Sequence, residues 1–204
     1  MRRGVVVVSV CLASVPARAA EQVYAVDPAA SLVTITVGKA GLFKFAGHTH
    51  EVAAPVAEGR VVADAHDVAA SSVTLLFRSS DLKVTGKGEP RGDVPKVQAA
   101  MLGPKVLDAA RFATIAFRST AVSGRPAGPD AWDVEVRGDL TLHGVTRPLV
   151  LPLRVERAGD ALVARGTAEL THRDYGIEPV SVAGVVKVKD ELSLEFRITA
   201  RPAR

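Results

Sequence analysis

The chain has 204 residues, of which 48% are hydrophobic, enough for one sizeable core in one or two domains. Its formal charge is +4, but three of its 26 basic residues, Arg2, Arg3 and Arg18, lie in the first 20 positions. The remaining 26 − 3 = 23 basic residues nearly balance the 22 acidic ones, so we expect no nucleic-acid partner.

The first 20 residues have the pattern of a secretory signal peptide. Two arginines precede an apolar run from Gly4 to Val15, and Ala17-Arg18-Ala19 offers small residues for cleavage. The run is shorter than the roughly 20 residues that a membrane-spanning helix needs. We therefore expect residues 1–20 to be a signal peptide, residues 21–204 to form one exported domain, and the protein to be periplasmic or secreted. The only cysteine, Cys11, falls in this leader, so we expect no disulfide.

Apolar and polar residues alternate in the first half of the remaining chain as they do in β-strands. The Gly- and Pro-rich stretch 81–95 predicts a loop. After it, the spacing of Val97, Met101 and Leu102 predicts a short helical segment near residues 96–107, interrupted at Pro104. The strands predicted before the loop cover residues 31–37, 42–52, 60–65 and 72–78.

The second half is organised around a predicted hairpin over residues 133–155. Two alternating runs flank the segment Gly144–Pro148, where glycine and proline can reverse the chain. Residues 125–130 predict a loop before it. Further strands are predicted over residues 114–119, 162–171 and 192–199.

The predicted elements favour an all-β fold. The count is eight or more strands with one helical interruption and no alternation of strands and helices. Each strand has one apolar face, which fits either a sandwich or a closed antiparallel barrel. The pattern leaves both open.

Three segments carry a resemblance to a known family. They are Phe112-Ala-Thr-Ile-Ala-Phe-Arg-Ser119, Gly138-Asp-Leu-Thr-Leu-His-Gly-Val-Thr-Arg-Pro148 and Asp174-Tyr-Gly-Ile177. In this order and spacing they resemble the YceI-like polyisoprenoid-binding family. The resemblance implies a lipocalin-like antiparallel β-barrel of about eight strands, exported, without enzymatic activity or a cofactor. It also implies a lumen that holds an isoprenoid, a quinone or a fatty-acid-like lipid, and it admits transient contact with a membrane.

The candidate ligand-binding residues follow from that barrel. We expect the polar end of the ligand at a mouth near His48, His50 and Tyr175, with the 96–107 helix as a wall or gate. Blocking the lumen, for example by Gly166→Trp, is then expected to abolish lipid uptake. For each apolar residue alone, ordinary core packing is the alternative. The apolar candidates are Phe43, Phe45, Leu75, Phe77, Met101, Phe112, Phe117, Leu140, Leu142 and Phe196.

Two other functions stay open on the sequence. His48 and His50, two residues apart, can share one strand face and bind a metal, with His143 or His172 as a third ligand. The protein would then be a metal-binding protein or a metal-dependent enzyme; hydrogen bonding at a barrel rim is the simpler role for these histidines. A barrel packed solid, without cargo, is the other alternative. The sequence has neither a Gly-x-Ser-x-Gly nor a His-Glu-x-x-His motif.

Overall fold

The computed structural model describes residues 21–40, 49–179, 181–182 and 186–203. The predicted leader over residues 1–20 and most of the predicted strand over residues 42–52, including Phe43, Phe45 and His48, lie outside these ranges. The described elements are β1 (Gln22–Val26), β2 (Leu32–Ala40), β3 (His50–Ala54), β4 (Glu58–Ala63), β5 (Ser72–Arg78), β6 (Lys83–Val84), α1 (Val94–Leu102), β7 (Thr114–Gly128), β8 (Ala131–Leu142), β9 (Val145–Ala158), β10 (Ala161–Thr171), β11 (Ser181–Val182) and β12 (Val186–Pro202).

Eight of these strands close into an antiparallel barrel. Their order around the ring is β1-β4-β5-β7-β8-β9-β10-β12, and β12 pairs back onto β1, with Tyr24 opposite Pro202. Closure removes the open sheet edges that a sandwich would keep. The fold is therefore the barrel and not the sandwich, and the small strand β1 that completes it was missed by the sequence analysis.

One end of the barrel is built differently, and we call it the helix end. Along one edge, the 17-residue strand β12 pairs first with β2 and then with β1. Strand β2 also pairs with β3, and β3 pairs with β6. These three strands extend the wall at this end. Helix α1 is fixed to β6 by Gln98, whose amide nitrogen donates to the Leu82 carbonyl at 2.9 Å and whose oxygen accepts from the Val84 N–H at 2.8 Å.

Helix α1 is shorter than the predicted 96–107 segment. It ends at Leu102 because Gly103 turns back, its N–H bonding to the Ala100 carbonyl, and Pro104 follows. Its half-buried residues Val97, Met101 and Leu102 pack against the core, as their spacing predicted. No helix in the described part of the chain is long and apolar enough to span a membrane.

The predicted hairpin at the centre of the sequence is present, but its turn is in a different place. The reversal is the two-residue turn His143–Gly144, with Leu142 paired to Val145, and Pro148 lies inside β9. Both turn residues have positive φ, 51° and 73°, as in a type I′ turn. A side chain at Gly144 would also collide with the Phe112 ring, since the position of its Cβ lies 2.5 Å from Phe112 Cε1.

The predicted loop over residues 125–130 was wrong. Strand β7 continues to Gly128, with Pro126 opposite Trp132 of β8, and only Pro129 and Asp130 form the turn. Strand β5 pairs with β7 no further than Arg118. Beyond that point β8 is the one described strand that pairs with β7, so the missing N–H of Pro126 can lie on the unpaired edge.

Two glycines in the wall lie under phenyl rings. The position of a Cβ at Gly138 would be 2.5 Å from Phe117 Cζ, and that of a Cβ at Gly166 would be 2.7 Å from Phe196 Cζ. Both rings therefore fold over a glycine of the neighbouring strand instead of standing upright in the lumen. The space that these two glycines leave is occupied by Phe117 and Phe196.

Candidate functional site

The barrel encloses a long apolar cavity of about 460 Å³. This volume lies in the range of about 300–1,000 Å³ that is usual for small-molecule sites. Lumen-facing Leu149, Leu151 and Leu153 of β9 line the cavity and remain only half-buried, although the barrel wall surrounds them. A solid core would have buried them, so the described interior is not packed solid.

The cavity follows the barrel axis. Along β9 its lining extends from Leu149 to Arg157. At a rise of about 3.4 Å per residue and a tilt of about 40°, those residues span roughly 20 Å along the axis. An elongated apolar space of this kind suits a chain better than a compact ligand.

Most of the predicted apolar residues lie in this cavity wall. Alternation along β5 correctly placed Val73, Leu75 and Phe77 on the inner face. The predicted site residues that line the cavity are Leu75, Phe77, Met101, Phe117, Leu140, Leu142 and Phe196. Their contact with a ligand stays a prediction. Phe112, Tyr175 and His50 are not among the lining residues.

The described lining opens to solvent at the end opposite the helix end. Every lining residue that is exposed lies there: Gln22, Ala65, His66, Ser72 and Arg157. We call this opening the mouth; the turn after β7, the turn after β9 and residues 64–71 surround it. The mouth was expected near His48, His50 and Tyr175. His50 and Tyr175 lie at the helix end, where the described lining is buried or half-buried, so the observed opening is elsewhere.

Apart from His172, the charged and polar side chains of the described lining lie at the mouth. The Arg157 guanidinium lies over the Trp132 ring, 5.8 Å from its centroid, and its Nε is 3.6 Å from Asp130 Oδ1. Buried Asp64 accepts from the N–H groups of His66 and Asp67 at 2.8 and 2.9 Å, which shapes the loop beside it. Sequence reasoning missed these residues because they come from strand ends and loops that are far apart in the sequence and carry no common motif.

Phe112, His143 and Tyr175 form a cluster outside the cavity, where they fix the β8–β9 turn. The rings of Phe112 and His143 meet edge to face at 4.6 Å, and His143 Nδ1 lies 3.2 Å from the Tyr175 carbonyl oxygen. The side chain of Tyr175 is buried, with 2% exposure. These contacts hold the turn against the segment after β10, so the cluster stabilises the helix end.

Burial raises the pKa of the Tyr175 hydroxyl, and the nearby Asp174 carboxylate raises it further. In the unfolded chain a tyrosine ionises near pH 10. The folded state keeps its proton longer, so this contribution to stability is complete below about pH 10 and is lost as the pH rises through the raised value.

We accordingly expect Tyr175→Phe to flatten the alkaline fall in the free energy of unfolding. Urea denaturation between pH 9 and 11 measures it. Identical pH dependence in the variant and the parent protein would contradict this assignment.

His50 is bonded to a buried carboxylate. Its Nδ1 lies 3.0 Å from Glu89 Oε1, and the two side chains are 22% and 1% exposed. Glu89 Oε2 is buried and has no hydrogen-bond partner among the described residues. The described residues contain no group of three side chains that could hold a metal, and His48 is outside them. His143 and His172 bond elsewhere, to backbone carbonyls, and are not brought to His50.

Removing the His50 imidazole should lower the free energy of unfolding, because the Glu89 side chain is buried. His50→Ala leaves the carboxylate without its partner, and we expect a loss of about 1 kcal/mol, since water can enter where His50 was partly exposed. His50→Ala/Glu89→Leu should recover most of that loss. Urea denaturation of both variants tests the pair; an unchanged midpoint in His50→Ala would show that the contact contributes nothing.

Comparison with known proteins agrees with this barrel. An UPF0312 protein of Vibrio cholerae is 34% identical over 93 residues, which cover 41% of this chain and 45% of the relative. An UPF0312 protein of Pseudomonas fluorescens is 39% identical over 83 residues, covering 34% and 39% of the two chains. The matched region thus spans less than half the length of these curated relatives.

Solved structures show the same fold. The BcnA protein of Burkholderia cenocepacia superposes with a TM-score of 0.65 at 19% identity, over 85% of this chain and 98% of that one. A YCEI protein of Campylobacter jejuni gives 0.54 at 10% identity, over 71% and 80%. The model of the YceI-like domain matches residues 24–200. Because that match covers most of the sequence, this chain belongs to the YceI-like family.

Proposed function

We propose that this protein is an exported, non-enzymatic carrier that binds a polyisoprenoid or a similar long-chain amphiphile in the barrel lumen. The observation that carries the proposal is the elongated apolar cavity, open at the mouth and lined by side chains that stay accessible inside the wall. Membership of the YceI-like family supports the binding of a hydrophobic ligand.

The energetics favour a chain-like ligand. Each buried methylene contributes about 0.8 kcal/mol, so about 15 of them gross roughly 12 kcal/mol. Association and ordering cost about 4–15 kcal/mol, which leaves affinities typical of a reversible carrier. Binding in this account is passive: the chain enters through the mouth and replaces water along the leucines of β9.

Ligand class can be tested by displacement of the fluorescent probe N-phenyl-1-naphthylamine from detergent-free protein. Palmitic acid, the C20 prenyl alcohol geranylgeraniol and decylubiquinone represent the three candidate classes, and hexan-1-ol is the short control. We expect at least one long ligand to displace the probe at micromolar concentrations and hexan-1-ol not to. Equal displacement by the short control, or none by any long ligand, would overturn the proposal.

Export is a separate part of the proposal. It is supported by the pattern of residues 1–20. Expression of the full chain in a Gram-negative host, followed by fractionation and N-terminal sequencing, tests it. A periplasmic product that begins near residue 20 or 21 is expected; an unprocessed cytoplasmic product would contradict it.

A metal-binding role is the second candidate, and one observation favours it: Glu89 Oε2, beside His50, is buried and has no partner among the described residues. Carboxylate and imidazole are both zinc ligands. Calorimetric titration with Zn²⁺ decides between the two roles. Stoichiometric binding that His50→Ala abolishes would support the metal site, whereas no heat of binding in the parent protein would exclude it.

A further inference from the structure

Among the described residues, the lining at the helix end of the cavity contains one histidine. His172 follows β10, is 8% exposed and lines the cavity near Leu170 and Leu192. It belongs neither to the mouth nor to the pair formed by His50 and Glu89. A buried imidazole in the wall of an otherwise apolar space needs a partner for each of its nitrogens.

The backbone fixes which nitrogen carries the proton. His172 Nδ1 lies 2.9 Å from the backbone carbonyl oxygen of Asp190, and a carbonyl oxygen can only accept. Nδ1 therefore donates, and in the neutral ring Nε2 keeps the lone pair. Nε2 makes no hydrogen bond to the described residues, and His172 lines the cavity. The hydrogen bond from Nδ1 thus fixes the ring, and Nε2 remains free to accept a hydrogen bond from a ligand in the cavity.

The neighbouring lining restricts what can pair with Nε2. At this end the other described lining residues are apolar: Leu82, Met101, Leu107, Leu142, Ile177 and Leu192. An anionic group would lose its hydration here with no cation in the described lining to compensate, because Arg157 lies at the mouth. A hydroxyl group, by contrast, can donate to Nε2, and its loss of hydration costs much less than that of an anion.

We propose that His172 Nε2 accepts a hydrogen bond from a hydroxyl group at the leading end of the ligand. The proposal rests on the proposed lipid-binding function and narrows its ligand to a neutral long-chain alcohol or phenol that enters hydroxyl first. His172 thereby distinguishes such ligands from fatty acids and from chains that lack a donor.

Three probes of equal chain length test this: hexadecan-1-ol, its methyl ether and hexadecanoic acid, each displacing N-phenyl-1-naphthylamine. In the parent protein we expect the alcohol to bind about tenfold more tightly than the ether, as one buried hydrogen bond predicts. His172→Phe should remove this preference while still binding the ether. Arg165→Phe, a change on the outer face of β10, should keep it.

The outcomes separate the two proposals. Four results would overturn the role of His172 while leaving the carrier intact. They are equal affinity for alcohol and ether, tighter binding of the acid, a preference that survives His172→Phe, and a preference that is lost in Arg165→Phe. No binding of any probe would overturn the carrier itself.

A measurement on the parent protein avoids dependence on the variant's folding. Long-range ¹H–¹⁵N correlation spectra should show His172 protonated at Nδ1, with an Nε2 resonance that moves when hexadecan-1-ol is added and not when the ether is added. Protonation at Nε2 in the free protein, or no response to the alcohol, would contradict the proposal.

Discussion

Ala164→Trp is expected to weaken lipid binding about a hundredfold without unfolding the barrel. Ala164 lines the cavity from β10, is half-buried, and has the lumen in front of it. An indole there should displace the equivalent of about four methylenes of ligand, roughly 3 kcal/mol or a hundredfold in affinity. Displacement of N-phenyl-1-naphthylamine by geranylgeraniol measures the loss.

The neighbouring residue provides the matched control. Arg165 lies next along β10 and its side chain is exposed on the outer face, so Arg165→Trp adds the same group outside the lumen. We expect the control to bind as the parent protein does. Equal binding by Ala164→Trp and Arg165→Trp would contradict a ligand site in the lumen. Gly166→Trp is unsuited to this test, because its Cβ would collide with the Pro152 carbonyl oxygen and the Phe196 ring.

Gly138→Ala and Gly166→Ala should each destabilise the fold strongly for so small a change. A Cβ at Gly138 would lie 2.5 Å from the Arg118 carbonyl oxygen and 2.5 Å from Phe117 Cζ, so strand and ring must both shift. Overpacking of this kind costs about 2–3 kcal/mol. In a chain of this size that lowers the midpoint of thermal unfolding by roughly 2–4 °C for each kcal/mol.

Gly92 is the matched control for the glycine variants. A Cβ there would meet no atom within 4 Å, so Gly92→Ala should leave stability unchanged or raise it by about 0.4–1 kcal/mol. Differential scanning calorimetry compares the three variants. If Gly138→Ala and Gly166→Ala unfold at the temperature of Gly92→Ala, the rings do not require glycines beneath them.

The strands could be predicted because each has one apolar face. Leu192, Phe196 and Ile198 alternate with polar residues, and β12 follows them, although it runs further in both directions. The length of β7 could not be predicted from local sequence. Proline is typical of turns, so Pro126 predicted one. It lies in β7 because the described strand β5 does not pair with β7 at that position, and no N–H is needed there.

The cavity wall was largely predictable, whereas its mouth was not. Inner faces repeat every second residue, so Leu75 and Phe77 could be assigned from the sequence. The mouth depends on the register of β8 and β9, which sets Trp132 beside Arg157, and on the loop that brings His66 to the same opening. His172 was considered as a metal ligand; its position at the helix end depends on the register between β10 and β12, which the sequence does not show.

Native mass spectrometry of protein purified without detergent, before and after incubation with geranylgeraniol or palmitic acid, tests the central claim most directly. The account predicts one bound lipid per chain, either retained from the host or taken up on incubation, and none on Ala164→Trp. A parent protein that carries no lipid before incubation and takes up neither ligand afterwards would contradict a lipid-binding lumen.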